Sequence, residues 1–227
     1  MIKTLLGPIT RPLFATVVFD VDSTLAAIEG IDWLAELRGP DVARACADLT
    51  ARAMDGLVPI ESVYLERLRA IAPTDAELHA LADAYCNAVQ PNAAQTISAL
   101  HGAGVVVHLV SGGLRAAILP LARQLGIAAD HVHAVTLAAN ANGQWLELDG
   151  DQPLATQRGK PLVLSQLTMA RPAVMIGDGA TDAAARGVVD QFIAYTGVVR
   201  RGPVVAAADA EATDFLCLYS LLFAARQ

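Results

Sequence analysis

Four short, largely apolar runs constrain this chain more than any other feature: Phe14 to Phe19, Val105 to Val110, Ala173 to Ile176 and Phe192 to Tyr195. Runs that are apolar on both faces and bounded by turn residues belong inside a parallel sheet rather than on a half-exposed one. Stretches with helical spacing separate or follow them, at Ala93 to Leu100, Leu114 to Leu125 and Leu162 to Leu167. The alternation predicts an α/β chain with a Rossmann-like parallel sheet core, covered by helices on both faces. The 227 residues, 54% of them hydrophobic, suffice for one core with a small satellite domain. Gln144 to Leu148, between Gly143 and Gly150, reads as a hairpin arm, and Phe215 to Ala225 as a helix packed on the core.

One region breaks the alternation. From about Ile28 to Ala88 only helical patterns occur, and the gap between the first two strands is roughly eighty residues, far more than one crossover helix uses. A small inserted helical cap is predicted there. It leaves from the first strand's C-terminal end, where open α/β sheets bind ligands, and so is placed to cover a site. Within it, Leu57, Ile60, Tyr64, Leu68 and Ile71 share one helical face, with Arg67 in the same stripe. Glu61, Glu66 and Arg69 point elsewhere. A guanidinium among apolar side chains either snorkels to water or has a carboxylate or phosphate partner.

Four constellations carry chemistry. In "DVDST", Asp20 and Asp22 follow the first strand, and the alternation of strand side chains points both towards the ligand crevice. A hard cation such as magnesium relieves their repulsion. A carboxylate beside a metal can attack phosphorus, and a second, protonated one can supply and recover a proton. Asx-capped turns use the same residues, so the motif alone decides nothing. In "LVSGGLRAA", Ser111 can cap a helix, and Gly112 and Gly113 let backbone N–H groups approach an anion. Lys160, before Pro161, opens a helix against the helix dipole, a placement that a phosphate partner would explain and that a surface lysine also fits. In "AVMIGDGATDAAARG", Asp178 and Asp182 form a second acidic cluster at a strand end, with Thr181 between them. Together the two clusters make a magnesium-sized cage.

Taken in order, "DVDST", "SGG", Lys160 and "GDGATD" resemble the haloacid dehalogenase superfamily of aspartate-nucleophile phosphatases. Longer matches, "FDVDSTL", "EGIDWLAE", "ARAMDGLVPIESVYLERL", "HLVSGG" and "MIGDGATD", are similar to its phosphoserine phosphatase family from about Val17 to Phe215. The resemblance implies a phosphatase core of residues 1–26 and 89–227 and a helical cap of residues 27–88. It also implies magnesium-dependent hydrolysis of O-phosphoserine to serine and phosphate, in serine biosynthesis, through an aspartyl-phosphate. Asp20 is then the nucleophile and Asp22 the general acid and base, its backbone carbonyl also touching Mg2+. Asp178 completes the metal site, and Asp182 orients Lys160. Ser111, Lys160 and the Gly112 N–H hold the phosphoryl oxygens. Glu29 recognises the substrate ammonium and Arg67 its carboxylate. Met54 packs over the site, and Thr181 stands on the substrate side where some members carry Asn. Asp55, next to Met54, departs from a position where other members can have Gly. The alternatives are another small phosphomonoester as substrate, or phosphoryl transfer to an alcohol. A receiver-type signalling module would lack the insertion, and an inactive scaffold would not need every catalytic position filled.

Composition narrows the partners. The net charge of −7 argues against a nucleic-acid surface, and Arg200-Arg201 reads as a solvated pair. Cys46, Cys86 and Cys217 are odd in number and without CxxC spacing, which fits a reducing compartment and neither disulfides nor zinc. His131 and His133 read as ordinary surface or core residues. No clean signal-peptide core or bilayer-spanning run is present, so a cytoplasmic protein is expected. The oligomeric state stays open, a homodimer being one option.

Overall fold

The computed structural model describes residues 11–55, 57–140 and 145–224. Six parallel strands form the central sheet: β1 (Thr16–Phe19), β2 (Val106–Leu114), β3 (Val132–Val135), β4 (Ala173–Gly177), β5 (Gln191–Tyr195) and β6 (Ala210–Ala212). Their order is β3-β2-β1-β4-β5-β6, with every pairing parallel. This is the expected Rossmann-like core. β1 is wholly buried because β2 and β4 flank it. The strand order reverses between β1 and β4, so the ligand crevice opens at their C-terminal ends.

The four expected strands are present with shifted ends, and two more flank them. β3 has four residues, VHAV, interrupted by His133, and β6 has only three, AEA. Edge strands this short need little apolar sequence, which is why hydrophobic runs did not reveal them. β2 continues through Ser111-Gly112-Gly113 to Leu114, with a register shift after Val110. The expected helical stretches lie in α5 (Ala93–Gly102), α6 (Arg115–Gln124) and α7 (Gly159–Gln166) once the insertion's four helices are counted first.

Those four are α1 (Gly30–Glu36), α2 (Pro40–Met54), α3 (Ile60–Ile71) and α4 (Asp75–Asn87). α4 starts at a capping box in which the Thr74 hydroxyl and the Glu77 carboxylate accept from each other's backbone N–H. α1, α2 and α3 pack on one another, whereas α4 also lies along α6. The chain enters and leaves the insertion side by side: Ala27 N–H donates to the Ala88 carbonyl at 2.9 Å and Gln90 N–H to the Leu25 carbonyl at 2.9 Å.

The apolar stripe of α3 holds except at its start. Ile60, Tyr64, Leu68 and Ile71 are buried, but Leu57 precedes the helix and is 70% exposed. Pro59 begins the helix too late for Leu57 to share its face. Trp145–Leu148 pairs antiparallel with Leu137–Ala139, forming the expected hairpin; Gln144 lies outside the described residues. Trp145 ties this hairpin to the insertion, its N–H to the Pro73 carbonyl and its indole N–H to Asp75 at 2.8 Å. α8 (Ala180–Ala183) and α9 (Gly202–Ala207) follow β4 and β5, and α10 (Phe215–Leu222) packs Phe215 against Phe19 and Tyr195. Among the described residues, no helix is long and apolar enough to cross a membrane.

Candidate active site

Because β2, β1 and β4 are neighbours, their ends bring three segments together: Asp20 to Asp22, Ser111 to Gly113, and Gly177 to Asp182. A cleft lies there, lined on its upper side by residues of α1 to α3. Asp20, Asp22, Glu29, Arg67, Gly112, Thr181, Lys160 and Asp178 all line it, so residues far apart in sequence meet at one place. Asp182 sits directly behind. The Met54 side chain lies outside the described residues.

Asp20 is buried. Its Oδ1 accepts from Val21 N–H at 2.7 Å, and its Oδ2 lies 2.8 Å from Lys160 Nζ. Lys160 Nζ also donates to Asp182 Oδ1 at 2.6 Å. Burial works against the ammonium, but Asp182 and then Asp20 outweigh it and hold Lys160 protonated, above its ordinary range. The opposing helix dipole at the start of α7 is thus met by carboxylates of this chain. Asp182 Oδ2 accepts from Gly179 N–H at 3.0 Å, which fixes it in the first turn of α8.

Asp22 stands slightly apart. Oδ1 accepts from Gly30 N–H and from the Tyr85 hydroxyl, each at 2.7 Å, and Oδ2 from the Ser111 hydroxyl at 3.2 Å. Gly30 is needed here, since a Cβ would come 2.0 Å from the Tyr85 oxygen. Burial, reinforced by Asp20, pushes the Asp22 carboxyl up to about 6. Ser111 does not cap α6: its oxygen accepts from Gly113 N–H at 3.0 Å, within the irregular end of β2, while Leu114 takes the cap position without a side-chain bond.

Asp178 Oδ1 accepts from the Thr24 hydroxyl at 3.3 Å. Its other oxygen is 3.4 Å from Arg201 Nε. This corrects the expected solvated pair. Arg200 does reach outward to Glu211, but the Arg201 side chain is only 8% exposed and also contacts Asp55 at 3.2 Å. Arg201 turns inward because two carboxylates, one on each side of the cleft, face it.

Glu29 accepts from the Ser23 hydroxyl at 2.6 Å. Ser23 adopts a left-handed backbone, φ 50°, uncommon for a residue with a side chain. Burial, then Asp22 and Asp178, raise the Glu29 carboxyl well above its ordinary range. Arg67 is buried and donates to the Thr50 hydroxyl, with Asp32 Oδ1 at 3.8 Å. Sequence reasoning passed over Thr50, Asp32 and Tyr85. Only Tyr64 carried a signal, its place in the stripe of α3, and its hydroxyl donates to the Gly112 carbonyl at 2.8 Å.

The donor set fits a hard divalent cation. Carboxylate oxygens of Asp20, Asp178 and Asp182 lie within 4.8 Å of one another. Asp22, Glu29 and Asp32 add three further carboxyl groups, against the cationic Lys160, Arg67 and Arg201. The upward shifts of Asp178, to about 6, and of Asp182 follow from burial and then from Asp20. A buried excess of carboxylate oxygens is what an oxygen-liganded metal neutralises. The Asp22 side chain stands outside this group.

Comparison with known proteins agrees with the architecture. Residues 17–185 match the haloacid dehalogenase-like hydrolase family. Human phosphoserine phosphatase is 37% identical over 203 residues, 88% of this chain and 89% of that protein. The chloroplastic phosphoserine phosphatase of Arabidopsis thaliana is 38% identical over 198 residues, 85% of this chain but 66% of the longer plant protein. A phosphoserine phosphohydrolase-like protein from Francisella tularensis superposes with a TM-score of 0.82 at 25% identity, over 92% of this chain and 99% of that one. A phospho-aspartyl intermediate analogue of phosphoserine phosphatase shares the fold, with a TM-score of 0.73 at 24% identity over 90% and 94% of the two chains. The family match spans most of the sheet, and the human relative aligns over nearly nine-tenths of both chains, so the chain belongs to the haloacid dehalogenase-like hydrolases, in their phosphoserine phosphatase branch.

Proposed function

We propose that this chain is a magnesium-dependent phosphatase that hydrolyses O-phosphoserine to serine and phosphate through an aspartyl-phosphate on Asp20, supplying serine in the cytoplasm. One observation carries the reading. A buried carboxylate, Asp20, paired with Lys160 and crowded by Asp178 and Asp182, shares one cleft with one acidic and one cationic side chain, Glu29 and Arg67.

The core of residues 1–26 and 89–227 supplies the reaction, and the cap of residues 27–88 supplies the address. Asp20, Asp178 and the Asp22 backbone carbonyl would hold Mg2+. When bound, the ion neutralises phosphoryl and carboxylate charge so that one anion can approach another. Asp20 attacks phosphorus, and the P–O bond to serine breaks. Lys160, kept charged by Asp182, stabilises the equatorial oxygens, with the Ser111 hydroxyl and Gly112 N–H beside it. Asp22, elevated by burial and held by Gly30, Tyr85 and Ser111, gives its proton to the serine oxygen. It then takes one from the water that cleaves the acyl phosphate. Glu29 gains its charge when an ammonium arrives beside it, and Arg67 takes the carboxylate. Thr181 and Met54 complete the substrate side. Unpaired Cys46, Cys86 and Cys217 accord with a reducing compartment.

The test is phosphate release from O-phosphoserine with magnesium and with EDTA, alongside a panel of phosphothreonine and sugar phosphates. Phosphoserine should be preferred and EDTA should abolish turnover. Asp20→Asn should lower turnover by at least about a thousandfold. Native turnover without an aspartyl-phosphate, or a preference for sugar phosphates, would overturn the reading.

A further inference from the structure

Arg67 poses a physical problem that its own helix does not solve. It sits on the buried face of α3 between Tyr64 and Leu68, where a guanidinium must be neutralised and hydrogen-bonded to stay charged. Its long, jointed side chain could adopt many rotamers, yet reading a carboxylate needs one orientation.

Two residues from other helices meet it. Thr50, on α2, is buried and accepts from Arg67 Nη1. Asp32, on α1, accepts from the Thr50 hydroxyl at 2.7 Å and lies 3.8 Å from Nη1. The directions are settled by chemistry. A carboxylate only accepts and a guanidinium only donates, so the single Thr50 proton goes to Asp32 and its lone pair faces Arg67. The three groups form one chain, and α1, α2 and α3 each contribute a member. Among the described residues, Arg67 Nε is buried and has no hydrogen-bond partner, beside the cavity that Asp32, Thr50 and Arg67 all line. Such an atom is costly unless something binds it.

We infer that Asp32 and Thr50 are positioning residues that hold the Arg67 guanidinium with its remaining donors towards the cavity, and so set the selectivity for substrates that carry a carboxylate. The inference rests on the reading of Arg67 as the carboxylate anchor. Thr50 is suited to the task because it is short, β-branched and stiff on a helix. Asp32 adds charge without competing for the donors that a ligand needs, since Thr50 stands between.

The experiment compares O-phosphoserine with O-phosphoethanolamine, which keeps the phosphate and ammonium but lacks the carboxylate. Thr50→Val preserves shape and removes both hydrogen bonds. It should raise KM for phosphoserine about tenfold or more with kcat little changed, and leave phosphoethanolamine within about twofold. Thr50→Ser should restore the native ratio. A Thr50→Val enzyme that keeps the native preference would overturn the inference while leaving Arg67 as the anchor. A native enzyme without any preference would overturn the Arg67 reading as well. Should Thr50→Val fail to fold, Asp32→Asn carries the same comparison: it keeps an acceptor for Thr50 but removes the charge, and an unchanged ratio there would equally overturn the inference.

Discussion

Gly177 closes β4 where Asp182 folds back over the chain. A Cβ at this position would come 2.1 Å from Asp182 Cγ, so one of the two must shift. Gly177→Ala should therefore push Asp182 off Lys160, costing about 1–3 kcal/mol of stability and a larger share of turnover than of substrate binding. Urea titration beside phosphate-release kinetics checks both, and native values in both would contradict the packing. The glycine was visible in the sequence as a flank of Asp178, but what it makes room for was not. Single residues were legible when a strand end delivered them, as with Asp20, Asp178 and Asp182. Arg201 was misread because nothing in "VVRRGP" separates the arginine that meets solvent from the one that turns to Asp178. Thr50 and Tyr85 stand on helix faces whose spacing says only that they are helical.

Among the elements, the β2–β3 edge carries a feature unrelated to the chemistry. His108 on β2 packs against His131 with the rings tilted by 41°, and lies 3.3 Å from His133, ring nitrogen to ring nitrogen. Burial, then His131 and His133, depress His108 from 6.5 to about 4, with Asp130 opposing weakly. The unfolded chain takes up that proton near 6.5 and the folded one only near 4, so the unfolded state binds more protons between these values. This edge's contribution to stability is thus present above about 6.5 and is lost as pH falls towards 4. His108→Leu should flatten the fall in melting temperature over that window relative to the native chain; parallel curves would show that the cluster is neutral in effect. The interior strands were readable because burial on both faces demands apolar side chains. The edge strands β3 and β6 were not, since one is built around histidine and the other is too short to need a pattern. The insertion was legible by default, as a stretch too long for a crossover and without a strand.

At the scale of the whole molecule, the upper helices meet the core through few polar contacts among the described residues: Gly30 N–H to Asp22, Tyr64 to Gly112, Glu61 to Gln157 N–H at 2.8 Å, and Asp55 to Arg201. Asp55 is exposed, so its pair with Arg201 is worth under about 1 kcal/mol and is screened by salt. Asp55→Gly should speed hydrogen exchange at the C-terminal end of α2 at low ionic strength, with the difference fading in high salt and the central strands unaffected. Uniform protection in both chains would rule out Asp55 as a fastener. α4 behaves differently, because it lies along α6 and carries Tyr85 to Asp22. Were α1 to α3 to lift, Arg67 and Thr50 would leave with them and Asp22 would lose the Gly30 N–H, but Asp22 would keep Tyr85 and Ser111, and Lys160 would remain beside Asp20. Discernment and reactivity are therefore fastened to different parts of the molecule, and damage to the roof should produce an indiscriminate enzyme before it produces a silent one.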